Sequence, residues 1–280
     1  MNVLETEGLS KSYPAFRLKN IDFSMKKGYI TGFVGENGAG KTTFLHCILN
    51  LIKRDSGKVR IFGRDMDGEE INIKQDIAFM SGETSFYPRS KLNVVTGVFK
   101  KFYSNWDDSV YSSYMKIFKL DEGKRISELS KGMRMKYSIA LALSHHARLI
   151  VLDEPTSGLD PVARDTLLEI FQDIVTDDER SILFSTHITS DLDKCADYVA
   201  FIKDGQMLMH DSKESILERY SIVSGPESAL EAARPGLVSY KTGSFGFTGL
   251  MDAESAKASR LQSVRPQLDD ILIYLSKAEG

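Results

Sequence analysis

A chain of 280 residues with 42% hydrophobic side chains is long enough for one large or two modest cores, and its net charge of -3 counts against a general nucleic-acid binder, which shows as a basic domain. Cys47 and Cys195 lie too far apart for a C-x-x-C pair and read as reduced, mostly buried thiols of a cytosolic protein. No apolar run approaches the ~20 residues that span a bilayer, and the opening Met1 to Glu5 lacks a signal-peptide pattern, so any membrane crossing falls to another chain.

Val3 to Ser12 and Phe16 to Met25 alternate apolar and polar residues and predict strands, with a turn at Lys27-Gly28. Tyr29 to Val34 is β-prone. Directly after it, Gly35-Glu36-Asn37-Gly38-Ala39-Gly40-Lys41-Thr42-Thr43 fits the phosphate-loop pattern G-x-x-x-x-G-K-[ST]. Phe44, Leu45, Ile48, Leu49 and Ile52 then keep helical spacing. Glycines let backbone N–H groups turn inward around a polyphosphate, and the helix N-terminus adds unpaired N–H groups and partial positive charge. Lys41 is placed to reach the β- and γ-phosphates, and the Thr42 hydroxyl to ligate Mg²⁺. This stretch predicts nucleoside triphosphate binding.

Gly57 to Phe62 reads as a further strand, with Gly63 and Asp65 as punctuation. From Phe86 to about Leu143 the pattern is helical and rich in aromatics. Leu149 to Leu152 is a continuous apolar run, as in a strand buried on both faces of a parallel sheet. Pro161 to Val175 is amphipathic, with Asp160 as N-cap and Pro161 in the first turn. Ser181 to Ser185 is another strand, and Tyr198 to Lys203 with Gln206 to His210 forms a hairpin around Asp204-Gly205. A helix follows Ser215, then strands and turns, then a helix from Leu268 to Ser276. Strands alternating with helices around a phosphate loop make this an α/β nucleotide-binding fold.

Asp153-Glu154 closes the apolar run, at the strand end where open α/β sheets bind ligands. Neighbouring strand residues point opposite ways, which assigns the two acids different tasks. Asp153 suits Mg²⁺, and Glu154 is left to orient and deprotonate an attacking water. Taken alone, the pair is a solvated acidic turn; beside a phosphate loop it becomes chemistry.

In order along the chain stand the phosphate loop, Leu129-Ser130-Lys131-Gly132-Met133, Leu149 to Glu154, Ser157-Gly158-Leu159-Asp160 and His187. This order resembles the ATPase subunits of ABC transporters, over residues 1 to 215. The resemblance implies a P-loop α/β ATPase with an N-terminal antiparallel β-subdomain, a helical insertion at about 84–147 and a small α+β accessory domain at 216–280. It implies an enzyme that binds ATP and Mg²⁺ and works as a head-to-tail homodimer or heterodimer. Its partner is an integral membrane subunit of a bacterial transporter, an exporter first of all, and its place is peripheral on the cytoplasmic face of the membrane.

The same resemblance makes Leu129 to Met133 the signature loop, usually L-S-G-G-Q, here altered at Lys131 and Met133. Ser130 and Gly132 are then the residues that touch the γ-phosphate held by the opposite subunit, with a helix from Met135 onward behind them. Asp160 belongs to the loop that reports between sites, His187 is the switch histidine at the γ-phosphate, and Tyr13 stacks on adenine. The family's glutamine falls by count on Gly82, so Glu83 beside it is the candidate substitute. Aromatics between Phe86 and Trp106 serve either a helical core or a groove for the membrane subunit. Two rival readings stay open: an ABC protein acting on ribosomes or DNA, and a catalytically idle regulatory subunit.

Overall fold

The computed structural model describes residues 1–81, 87–259 and 261–278. Two sheets carry the nucleotide-binding part. An antiparallel four-stranded sheet runs in the order Phe16–Lys26, Asn2–Tyr13, Ser56–Ile61, Arg64–Asp65. A six-stranded sheet runs Gln206–Ser212, Tyr198–Lys203, Ile30–Val34, Ser181–Thr186, Leu149–Asp153, Ile77–Ser81. Its neighbours pair in parallel except at the Tyr198–Ser212 hairpin.

The central strands are buried on both faces, so alternate residues feed two different cores. Leu149, Val151 and Leu183 face the antiparallel sheet, together with Phe33, Phe44 and Leu45. Ile150, Leu152, Ile182 and Phe184 face the opposite way, onto Ile139, Leu143, Leu167 and Phe171. The helix Lys41–Ile48 is wedged between the two sheets, its Phe44 ring stacked on Phe33 at 4.6 Å. That packing anchors the helix whose first turn follows the phosphate loop.

Between strands Ile77–Ser81 and Leu149–Asp153 come the helices Leu92–Phe102, Asp108–Ile117 and Lys131–Ser144. They enclose an apolar cluster of their own, including Leu92, Val95, Tyr111, Met115 and Leu141. A buried polar trio pins it: Thr96 Oγ1 lies 2.9 Å from Tyr111 Oη and 2.8 Å from Tyr137 Oη, and Tyr137 donates to the Leu92 carbonyl.

The C-terminal stretch builds a third sheet, Leu237–Gly243, Gly246–Asp252, Tyr220–Gly225, Gln262–Val264. Its last helix, Leu268–Lys277, inserts Leu268, Ile271 and Leu272 into the main core beside Leu192 and Phe201. The tail is therefore fastened to the ATPase core by apolar contact as well as by chain connection.

Three elements differ from the sequence reading. The helix following the signature residues starts at Lys131, four residues before Met135, because the Ser130 hydroxyl accepts from the Met133 amide at 3.2 Å and caps it. Asp65, read as punctuation, caps an additional helix, Met66–Gln75, that buries only Met66 and Ile73 and so has a weak apolar stripe. Thr189–Cys195 is a further short helix, without a side-chain cap at its N-terminus.

Candidate functional site

Parallel register decides what meets what. Val34 pairs with Thr186, and Leu152 with Phe184, so three strands end at one edge of the sheet. The residues that leave those ends are the loop Gly35 to Gly40, the acids Asp153 and Glu154, and His187.

The loop turns through Gly38 and Gly40, with φ of +83° and +111°. At Gly40 a side chain is excluded twice, since a Cβ would also come within 2.6 Å of the Phe16 ring. The Ala39 amide closes onto the Glu36 carbonyl at 3.1 Å, while Glu36, Asn37 and Gly38 stay exposed. Helix Lys41–Ile48 begins at once, and its first-turn amides, those of Lys41, Thr42 and Thr43, have no intrahelical acceptor. They form an anion cradle. The Lys41 side chain is 5% exposed and folds back over the loop, donating to the carbonyls of Gly35 (2.8 Å) and Glu36 (3.1 Å).

The Thr42 hydroxyl donates to Asp153 Oδ2 at 2.7 Å. Asp153 Oδ1 accepts from Ser185 Oγ at 2.5 Å, and the same Ser185 oxygen accepts the Glu154 amide at 2.9 Å. Ser185 thus holds both acids, and sequence reasoning passed over it. The only local signal was a hydroxyl two residues before His187.

Glu154 takes up φ of +49°, a left-handed conformation that costs a residue with a Cβ roughly 1–2 kcal/mol. This kink separates its carboxylate from that of Asp153. Glu154 Oε2 lies 3.1 Å from His187 Nδ1, and Oε1 lies 3.5 Å from Lys41 Nζ. The structure therefore gathers Lys41, Thr42, Asp153, Glu154 and His187 into one cluster.

Other candidates lie apart from it. Ser130 is exposed, and among the described residues no hydrogen bond or ion pair joins Ser130 or Gly132 to the phosphate loop. Gly132 packs beside Leu159 and Ala163, and the Lys131 amine stands near Gly158, so the signature turn abuts the turn that follows Glu154. Asp160 caps helix Pro161–Val175, accepting from the Val162 and Ala163 amides at 3.1 and 3.0 Å. Tyr13 ends its strand 44% exposed, with Lys11 Nζ 5.6 Å from its ring centre. Glu83 lies outside the described residues.

A family model described as ABC transporter matches residues 18–157, half of the chain. The chain belongs to the ABC transporter family. It is 30% identical over 223 residues to the ABC transporter ATP-binding protein YtrB of Bacillus subtilis (strain 168), covering 78% of this chain and 75% of that one. The bacitracin transport ATP-binding protein BcrA of Bacillus licheniformis is 32% identical over 216 residues, covering 74% of this chain and 68% of its own length. Among solved structures, an ATP-binding subunit of an ABC transporter superposes with a TM-score of 0.69 at 25% identity, covering 76% and 91% of the two chains. The P-loop ATPase fold is thereby established, and the protein is an ATP-binding, ATP-hydrolysing transporter subunit. A ribosomal or DNA-directed role is not favoured. No helix among the described residues is long and apolar enough to cross a membrane. Membership among transporter ATP-binding subunits implies a membrane partner.

Proposed function

We propose that the chain drives a bacterial exporter from the cytoplasmic face of the cell membrane by closing, with ATP, against a second copy or a close relative. The observation that carries this reading is the split site. Lys41, Thr42, Asp153, Glu154 and His187 converge, while among the described residues no hydrogen bond or ion pair joins the exposed Ser130, or Gly132, to them, which suits a role toward another molecule's nucleotide.

In this reading the loop amides and Lys41 hold the β- and γ-phosphates, and Tyr13 covers the adenine face. Lys41 exchanges its loop carbonyls for phosphate oxygens. The two hard oxygens of Thr42 and Asp153, already paired at 2.7 Å, fit Mg²⁺, which takes few protein ligands beside phosphate oxygens and offsets phosphate charge when bound. Glu154 accepts the proton of the attacking water, and His187 holds that carboxylate in place from the neighbouring strand. Ser130 and the helix it caps then present N–H groups and positive potential to the γ-phosphate across the dimer. Asp160 ties the intervening turn to a rigid helix, so closure at one site is felt at the other.

We assign residues 1–215 to the ATPase domain, with its helical part at about 84–147, and 216–280 to an accessory domain. A cavity of about 520 Å³ between helix Leu92–Phe102 and strand Ile77–Ser81, lined by Phe79, Val94, Val98, Phe99 and Tyr103, suits an apolar helix of the membrane subunit. A relative named for linearmycin resistance, 27% identical over 223 residues, supports export as the direction, since removing an antibiotic from the cell gives resistance.

The test compares ATP hydrolysis and molecular mass of the wild type and Glu154→Gln. Turnover should collapse while saturating ATP shifts the variant to a dimer. A variant that binds ATP and stays monomeric, also with its copurified membrane subunit, rules the reading out.

A further inference from the structure

Asp191 is 0% exposed and both its oxygens are engaged. Oδ1 accepts from Arg164 Nε at 2.5 Å, and that guanidinium also donates to Ser190 Oγ at 2.7 Å. Oδ2 is shared between two hydroxyls on different elements: Thr156 Oγ1 at 2.7 Å and Thr186 Oγ1 at 3.3 Å. A buried carboxylate without such partners would be strongly destabilising, so these donors and Asp191 hold one another in place.

What each donor belongs to gives the cluster its meaning. Thr156 sits in the turn between Glu154 and Asp160 and is 2% exposed. Thr186 ends its strand immediately before His187, and its oxygen also accepts the Ile188 amide at 2.9 Å. Arg164 occupies the first turn of the helix capped by Asp160, its amide donating to the Asp160 carbonyl at 3.0 Å. The inter-site turn and the histidine strand therefore meet at a single oxygen. Glu154 and His187 close the loop on the other side, at 3.1 Å.

We propose that Asp191 is a positioning residue that couples the turn 154–160 to His187, through Thr156 on one side and Thr186 on the other. This rests on the roles given to Glu154 and His187 above. The two bonds to Oδ2 are unequal, and the carboxylate leans toward the turn. When a second subunit draws that turn outward, Oδ2 is released toward Thr186, and the strand end carrying His187 resets against Glu154. Asp191 itself touches neither nucleotide nor water.

The test measures steady-state ATP hydrolysis by the full chain, with kcat and KM separated, for Thr156→Val, Thr186→Val, their double variant and Asp191→Asn. Each single change should lower kcat about 10-fold and leave KM within about 2-fold. The double variant should lose no more than about 10-fold, since both changes cut the same link, and Asp191→Asn should make the Thr156 change silent. Thr156→Ser, which keeps the hydroxyl, should restore kcat. Losses that multiply to about 100-fold, or a kcat untouched by Thr156→Val, overturn the coupling. Should Asp191→Asn fail to fold, the threonine pair carries the same decision. A wild type with no ATP hydrolysis would instead strike at the functional reading itself, which separates the two failures.

Discussion

His187 Nδ1 stands 3.1 Å from Glu154 Oε2, joining the end of one central strand to the turn that leaves its neighbour. The contact orients a carboxylate that would otherwise rotate freely in a half-exposed position, and Lys41 at 3.5 Å constrains its other oxygen. Glu154→Gln keeps the size and most of the hydrogen bonding but removes the base. Steady-state assays should show turnover lower by about 10²–10⁴, and fluorescent-nucleotide titration should show ATP still bound.

Backbone strain at the same residue yields a stability prediction. Glu154 holds φ of +49°, which glycine adopts without steric cost. Glu154→Gly should therefore be more stable than Glu154→Ala by about 1 kcal/mol in denaturant unfolding, although both lose turnover. Equal stability of the two would show that the turn relaxes once the side chain is gone.

His145 supplies a pH dependence. Burial pushes its pKa down from 6.5 to about 4; its Nδ1–H donates to the Gln75 carbonyl at 3.2 Å, and its ring stacks on Tyr103 at 3.8 Å. Because the folded pKa is the lower one, the unfolded chain takes up the proton first on acidification. The group's contribution is complete above pH 6.5 and is lost as pH falls toward about 4. Its full extent is roughly 3 kcal/mol at most. Urea unfolding of wild type and His145→Phe should show the stability difference shifting in favour of the variant between about pH 7.5 and about 4.5.

Coupling to the membrane subunit can be separated from catalysis. Val94 and Val98 are 55% and 49% exposed along the groove beside helix Leu92–Phe102. Val98→Asp should change stability by no more than about 0.5 kcal/mol, as for most surface substitutions. It should leave the chain's own ATP hydrolysis intact and abolish copurification of the membrane subunit. Retained copurification would move the docking surface elsewhere.

The legible parts of the sequence were those set by local backbone chemistry. The phosphate loop needs glycines at positive φ followed by a helix start, and Asp160-Pro161 is a complete N-terminal signal; both stand where their residues put them. Leu149 to Leu152 is equally plain, since a short run apolar throughout and closed by Asp153-Glu154-Pro155 suits a strand buried on both faces. The helix expected from Met135 onward starts four residues earlier, at Lys131, because the Ser130 cap admits the signature residues, Gly132 included, into its first turn. Met66–Gln75 carries almost no sequence signal, because its charged sequence buries only Met66 and Ile73.

The sequence by itself determined that a triphosphate is held and which acids stand beside it, because those features depend on dihedral preferences within a few residues. Only the tertiary structure decided that Ser185 grips both Asp153 and Glu154, that His187 reaches Glu154, and that Thr156 and Thr186 share Asp191. These contacts follow from which strands lie side by side and in what register. Strand pairing is settled by burial across the whole sheet, and no short window of residues encodes it.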